Sequence, residues 1–368
     1  MTTLLDDFTS TGKKFFHHPA SLKALRGEGS PRPVVSHIMP TDICNHKCAF
    51  CSVQTRDGDT LDLDWIATYL DQLTPIGLKA VILSGGGNPI LYKRFNTLVD
   101  LLHSRKLKIG LITNGMPLSE VNGRLTWRTV RPDTLDKLTW IRISMSGLDH
   151  PENCVYVPEI DREKTTLGFS YIYHDAYVVP DEPHHGQVSS EEDVLQLGLP
   201  VTKIKYGHDR FQKLTGQIAE IVRQYQPQYV RLLPNCLEPH LIKSRCAHLQ
   251  EMADTIDPSV VFVQYKPPEA PSACYLGYLH PVLNTDGYVY PCDSCVLNRA
   301  AGHKFAVPWR MCRYDEIGEF YRKPVHSLVD SKKLCPGCVF TKSNELLVKV
   351  ANGLPLPPPE PAEHPDFV

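Results

Sequence analysis

The sequence predicts an α/β fold: a partial (β/α)6 TIM-like barrel, followed by a small cysteine-rich module built from a β-hairpin and helix. Three observations predict it. Short apolar runs alternate with stretches of helical periodicity between residues 34 and 268, which argues for a parallel sheet with helices outside it. One of these units reads as strand, glycine loop and helix in succession, the βα pattern whose loop opens at the C-terminal end of a sheet. From residue 274 onward, cysteines flank an Asp-Gly hairpin turn. With about six units, fewer than the eight of a closed barrel, the barrel is expected to be partial.

The elements follow in order. Residues 1–33 form a mixed extension, expected to cap the barrel bottom or fold over substrate. Pro33–Met39 reads as a short apolar strand leading into a cysteine loop, and Leu63–Leu73 has apolar residues at helical spacing. Lys79–Leu83 is a buried strand running into Ser84-Gly85-Gly86-Gly87-Asn88-Pro89, with a helix from about Tyr92 to Arg105. Glycines in such a loop let backbone approach a ligand closely. Leu107–Gly115 and Leu138–Gly147 are further strands. Alternation on the second puts Arg142, Ser144 and Ser146 on one polar face and Ile141, Ile143 and Met145 on the other. Thr166–Tyr173, Tyr229–Leu233 and Val260–Tyr265 read as strands, and His208–Tyr225 and His240–Ile256 as helices. Arg231 alternates to the face opposite Val230 and Leu232, toward a substrate or a surface acid. The loop Pro180–Gln187 carries His184 and His185, read as exposed. The domains expected are an extension at 1–33, the barrel at 34–268, the cysteine-rich module at 269–342 and a segment at 343–368. Its proline-rich tail from Gly353 reads as extended or disordered.

Two cysteine sets carry the chemistry. Cys44, Cys48 and Cys51 stand in C-x3-C-x2-C spacing, three thiolates for a site that takes four; an iron–sulfur cube held this way keeps one iron open. A Cys3His zinc site using His46 is the competing reading, at odds with the two spaced ligand pairs such sites use. The loop, with Phe50 before the third cysteine and the glycine loop downstream, resembles the radical S-adenosylmethionine (SAM) superfamily. That resemblance implies a [4Fe–4S] cluster on Cys44, Cys48 and Cys51 whose open iron chelates SAM. One electron then cleaves a C–S bond and releases a 5′-deoxyadenosyl radical. It further implies Phe50 and Val230 near the adenine, and Thr113, Asn114 and Ser144 near the methionine or ribose. The SAM amino group falls to Gly85, Gly86, Gly87 or Asn88. Here the chain reads Gly-Gly-Gly-Asn-Pro where the family has Gly-Gly-Glu-Pro, so backbone carbonyls or the Asn88 amide stand in for the acid.

The second set is Cys274, Cys292, Cys335 and Cys338, which resembles a twitch domain and implies an auxiliary [4Fe–4S] cluster. Cys292-x2-Cys295 with Cys335-x2-Cys338 also spells a zinc ribbon, for which Cys274 has no use. Cys154, Cys236, Cys246 and Cys312 read as buried free thiols.

Twelve cysteines in metal-type spacings point to the reducing cytoplasm, and no apolar run is long enough to span a membrane. A net charge of −2 argues against a large nucleic-acid surface. The reading is a radical SAM oxidoreductase or isomerase acting on a small-molecule, sugar or nucleotide substrate, reduced by a flavodoxin or ferredoxin. Modification of a ribosomal peptide or a nucleic-acid base is the alternative, and a non-catalytic iron–sulfur electron carrier is a third reading from another class.

Overall fold

The computed structural model describes residues 3–10, 12–46, 48, 50–51, 53, 56–116, 119–121, 124–127, 129–149, 155–174, 176–180, 201–206, 208–266, 269–294, 307–335 and 337–368. Its main sheet has ten strands: β1 (Val35–Ile38), β2 (Ala80–Leu83), β3 (Lys108–Thr113), β4 (Trp140–Ser144), β5 (Thr166–Tyr173), β6 (Tyr229–Pro234), β7 (Val261–Val263), β8 (Val282–Leu283), β9 (Tyr288–Tyr290) and β10 (Cys312–Arg313). The order is β7-β6-β5-β4-β3-β2-β1-β8-β9-β10, with every pair from β7 to β8 parallel. Only β8–β9 and β9–β10 are antiparallel. The hairpin of the cysteine-rich module therefore continues the barrel sheet, because β8 pairs with β1 through His37↔Val282 and Ile38↔Leu283.

Helices cover the outer face where the sequence gives them an apolar stripe. Helix Leu63–Leu73 buries Leu63, Ile66, Tyr69, Leu70 and Leu73, and Asp62 caps its N-terminus by accepting from the Asp64 amide. Helix Phe95–Ser104 buries Phe95, Leu98, Val99 and Leu102 in the same spacing. Not every crossover is helical: β3 and β4 are joined through the small hairpin Ser119–Val121/Arg124–Thr126 and the short helix Pro132–Leu135. A second hairpin pairs Ala176–Pro180 with Val201–Tyr206. Most of the loop carrying His184 and His185 lies outside the described residues, both histidines included, as do Cys154 and Cys295.

The N-terminal end of the barrel is closed from two directions. Trp140 and Tyr229 fill its floor because Gly110 and Gly168 leave room: a Cβ on either glycine would come within 2.2 and 2.0 Å of those rings. Phe8 of the N-terminal extension stacks on Tyr229 at 4.4 Å between ring centroids. The C-terminal tail supplies Phe367, edge-on to Trp140 at 5.2 Å, and fully buried Val368. Asp366 pairs with Lys108 at 2.7 Å, and Arg26 donates from Nη2 to the Leu354 carbonyl. The tail is thus extended, as its prolines require, but anchored rather than disordered. Its last apolar residues bury against an aromatic floor, which offsets the entropy of ordering it.

Candidate functional site

The cysteine loop leaves the C-terminal end of β1 and lies directly on the glycine loop that leaves β2. The Gly87 amide donates to the Thr41 carbonyl (3.1 Å) and the Asn88 amide to the Ile43 carbonyl (2.8 Å). A Cβ on Gly87 would fall 2.1 Å from the Ile43 carbonyl oxygen, so glycine is needed there for close backbone approach. Arg56 clamps the two loops, donating from Nε to the Gly86 carbonyl (3.0 Å) and from Nη2 to Cys51 Sγ (3.1 Å).

Asn88 is fully engaged inside this assembly. Its Oδ1 accepts from Thr113 Oγ1 at 2.9 Å, and its Nδ2 donates to Asn114 Oδ1 at 2.9 Å and Asn45 Oδ1 at 3.3 Å. Asn114 Nδ2 in turn donates to Asn45 Oδ1 (2.9 Å) and Cys44 Sγ (3.6 Å). The amide that the sequence offered as a neutral ligand for SAM is a strut tying the cysteine loop to the ends of β2 and β3. The Gly85–Gly87 backbone is left as the surface beneath the thiols.

Burial, with the neighbouring Cys51 and Cys44 thiols, pushes the Cys48 thiol well above its usual range. Three thiols crowded this way need a cationic centre to hold them as thiolates. Buried Ser146 lies against Cys48, whereas Ser144, the serine the resemblance implied, is half-buried at the end of β4 and pairs with Ser170. Val230 is fully buried within the main apolar core, and its neighbour Arg231 lines the barrel interior. Phe50 packs against His174 at 5.4 Å between centroids.

Beside Phe50 lies a buried polar group that sequence reading missed. Asp149 accepts from Tyr171 Oη and Arg210 Nη2, and His174 Nε2 lies 3.5 Å from its other oxygen. Burial pushes the Asp149 carboxyl up, but His174, Arg210 and Tyr171 outweigh it and hold the group below the usual carboxylate range. The available signal was position, since Asp149 and His174 each follow the C-terminal end of a barrel strand.

The second set converges as well. Cys274 is pushed well up by burial and by the neighbouring Cys292, Cys338 and Cys335 thiols; burial takes Cys335 to about 11 and Cys338 to about 12. Trp309 Nε1 donates to Cys335 Sγ at 3.4 Å. The structure thus gathers two separate sets of thiols. Both border one apolar cluster of Met39, Val53, Val282, Tyr290, Trp309 and Val329, against which Cys51, Cys292 and Cys338 pack.

Residues 38–145, which hold the cysteine loop, the glycine loop and strands β2 to β4, match the family profile described as the radical SAM superfamily. The chain carries a radical SAM domain. A radical SAM domain implies a [4Fe–4S] cluster and SAM. Among curated proteins, an S-adenosylmethionine-dependent nucleotide dehydratase of Selenomonas ruminantium is 23% identical over 134 residues, 36% of this chain and 46% of that protein. Another so named, from a Thermoplasmatales archaeon (strain ISO4-H5), is 26% identical over 123 residues, 32% of this chain and 44% of that protein. The match thus spans less than half the length of either relative. Among solved structures, Streptococcus suis SuiB bound to S-adenosylmethionine aligns over 75% of this chain and 63% of its own, at 14% identity and a TM-score of 0.44. Native anSMEcpe with bound AdoMet and Cp18Cys peptide aligns over 88% of this chain and 100% of its own, also at 14% identity and a TM-score of 0.44. No helix among the described residues is long and apolar enough to cross a membrane.

Proposed function

We propose that the protein is a radical SAM enzyme that removes a hydrogen atom from a small anionic substrate of the nucleotide class. The observation that carries this reading is the seating of the Cys44, Cys48 and Cys51 loop on the Gly85–Gly87 backbone. When bound, the [4Fe–4S] cluster supplies the electron that splits SAM into methionine and a 5′-deoxyadenosyl radical. Cys44, Cys48 and Cys51 hold that cluster, Arg56 faces the Cys51 sulfur, and the Gly85–Gly87 carbonyls take the SAM amino group. Phe50 and His174 wall the loop beside it.

The radical takes one hydrogen atom from a substrate C–H, giving 5′-deoxyadenosine and a substrate radical. Cys274, Cys292, Cys335 and Cys338 are proposed to hold an auxiliary cluster, with residues 269–342 as its module. When bound there, such a cluster would supply an acceptor for the electron of an oxidised substrate radical, the proton passing to solvent and a ferredoxin- or flavodoxin-type partner reoxidising the site. Cys51 of the first set and Cys274, Cys292, Cys335 and Cys338 of the second meet the same apolar cluster. Support for a nucleotide comes from the names of the two curated relatives.

The test is anaerobic iron and sulfide content with electron paramagnetic resonance of the reduced protein, alone and with SAM. Two clusters are expected, only one responding to SAM. The Cys44/Cys48/Cys51 triple alanine variant is expected to keep about four irons and lose SAM cleavage. No SAM response in the wild type would overturn the reading.

A further inference from the structure

Above the aromatic floor, the barrel encloses a cavity of about 120 Å³ whose lining includes Arg142 from β4, Arg231 from β6, and Lys266 and Gln264 beyond β7. Its charges do not balance. Among the described lining residues, Lys14, Arg142, Arg231 and Lys266 stand against only Asp7 and Asp293. The three lining histidines, His37, His280 and His364, are each held toward the neutral form, chiefly by burial. That leaves an excess of two positive charges inside a protein.

The cations are also short of acceptors. Lys14 is satisfied at the floor by the Asp7 and His364 carbonyls, at 2.6 and 3.3 Å. Arg231 gives one bond, from Nη1 to the neutral Gln264 Oε1 at 3.1 Å, and the buried Nε atoms of Arg231 and Arg142 have no partner. Neither arginine, nor Lys266, forms an ion pair with a described carboxylate; Arg142 lies over the Trp140 ring at 5.7 Å and Lys266 over the Phe340 ring at 4.8 Å. Burial drives Arg231 down to about 9 and lowers Lys266, a measure of what desolvation costs here. Asp293 faces both Arg231 and Lys266, so the buried cations of this cavity share a carboxylate rather than each having its own. A fold retains them when a ligand brings the missing charge.

We propose that this cavity seats a phosphoryl group of the substrate, held by Arg142, Arg231 and Lys266. An excess of two charges matches a phosphoryl dianion rather than a single carboxylate, and forked guanidinium donors suit its oxygens. The cavity reaches toward the catalytic end: Gln264 and Lys266 lie past the C-terminal end of β7, and Asp293 directly follows Cys292. A phosphoryl group there directs the rest of the molecule toward the loop that follows β1. The inference rests on the proposed radical chemistry only for what that rest is.

The probe is inorganic pyrophosphate, titrated calorimetrically into the reconstituted holoprotein at fixed ionic strength, with thermal unfolding measured alongside. Wild type is expected to bind it and gain thermal stability, and Arg231→Met and Arg142→Met each to weaken binding at least about tenfold, as loss of a charge-assisted pair does. Without pyrophosphate, Arg231→Met is expected to melt at or above the wild-type temperature, which an arginine with a structural role would not allow. Should a methionine variant not fold, Lys266→Met and Arg231→Lys carry the same comparison. Absence of binding to wild type, or equal binding by every variant, overturns the site. SAM cleavage by the wild type is scored separately. Pyrophosphate binding without SAM cleavage overturns the radical reading and leaves the site, and SAM cleavage without pyrophosphate binding does the reverse.

Discussion

Gly87 and Ile43 meet at backbone distance: a Cβ on Gly87 would lie 2.1 Å from the Ile43 carbonyl oxygen and 2.4 Å from the Asp42 carbonyl carbon. The glycine loop and the cysteine loop are therefore one structural unit. Gly87→Ala leaves no flexible side chain to move aside, so the cysteine loop itself must shift. The expected outcome is loss of about four irons per chain and of SAM cleavage, with the C-terminal irons retained. Iron and sulfide analysis with paramagnetic resonance reads both.

Asn88→Ala removes three side-chain hydrogen bonds and takes the acceptor from the buried Thr113 hydroxyl, while Asn114 and the exposed Asn45 keep their bond to each other. Each unpaired buried group costs about 1–3 kcal/mol. A stability loss of that size in a denaturant titration is expected, together with weaker SAM binding through a misplaced cysteine loop. Unchanged stability with weakened SAM binding would instead make Asn88 a direct ligand.

Trp309 reports on the second thiol set, since its Nε1 sits 3.4 Å from Cys335 Sγ. The auxiliary cluster proposed for Cys335 and Cys338 would quench that indole. In the Cys335→Ser/Cys338→Ser variant, Trp309 emission is expected to rise as about four irons are lost. A Trp309→Phe control separates this signal from the other tryptophans.

Phe367 closes the barrel floor against Trp140. Phe367→Ala is expected to cost about 3–5 kcal/mol, the usual range for emptying a buried aromatic site. Urea unfolding measures it, and a loss below about 1 kcal/mol would mean that the tail is not part of the cooperative fold.

His364 accounts for part of the acid sensitivity. Burial, with Lys14 and Lys108 nearby, pushes it down from 6.5 to about 4. The unfolded chain takes up the proton first, so this contribution is complete above pH 6.5 and is lost as pH falls through about 4. His364→Gln is expected to flatten the fall in thermal stability across that window. An unchanged slope would assign the acid loss to other groups.

What the sequence determined by itself was local. Leu63–Leu73 is a helix and Thr166–Tyr173 a strand within the bounds their periodicity sets, because a stripe at helical spacing or an apolar run needs no distant partner to be recognised. Cys44, Cys48 and Cys51 were legible for a related reason: their spacing is itself the signature of the ligand, whereas the spacing of the second set left zinc and a cluster both open. Only the tertiary structure decided what depends on register and chain path. Arg142 and Arg231 lie 89 positions apart and meet because parallel β4, β5 and β6 bring their inward faces together. Asn88 became a strut because the end of β3 supplies Thr113 and Asn114 beside it. Phe367 and Val368 became core because the floor between Trp140 and Tyr229 was open to them, and composition alone makes a proline-rich tail extended without saying what it covers.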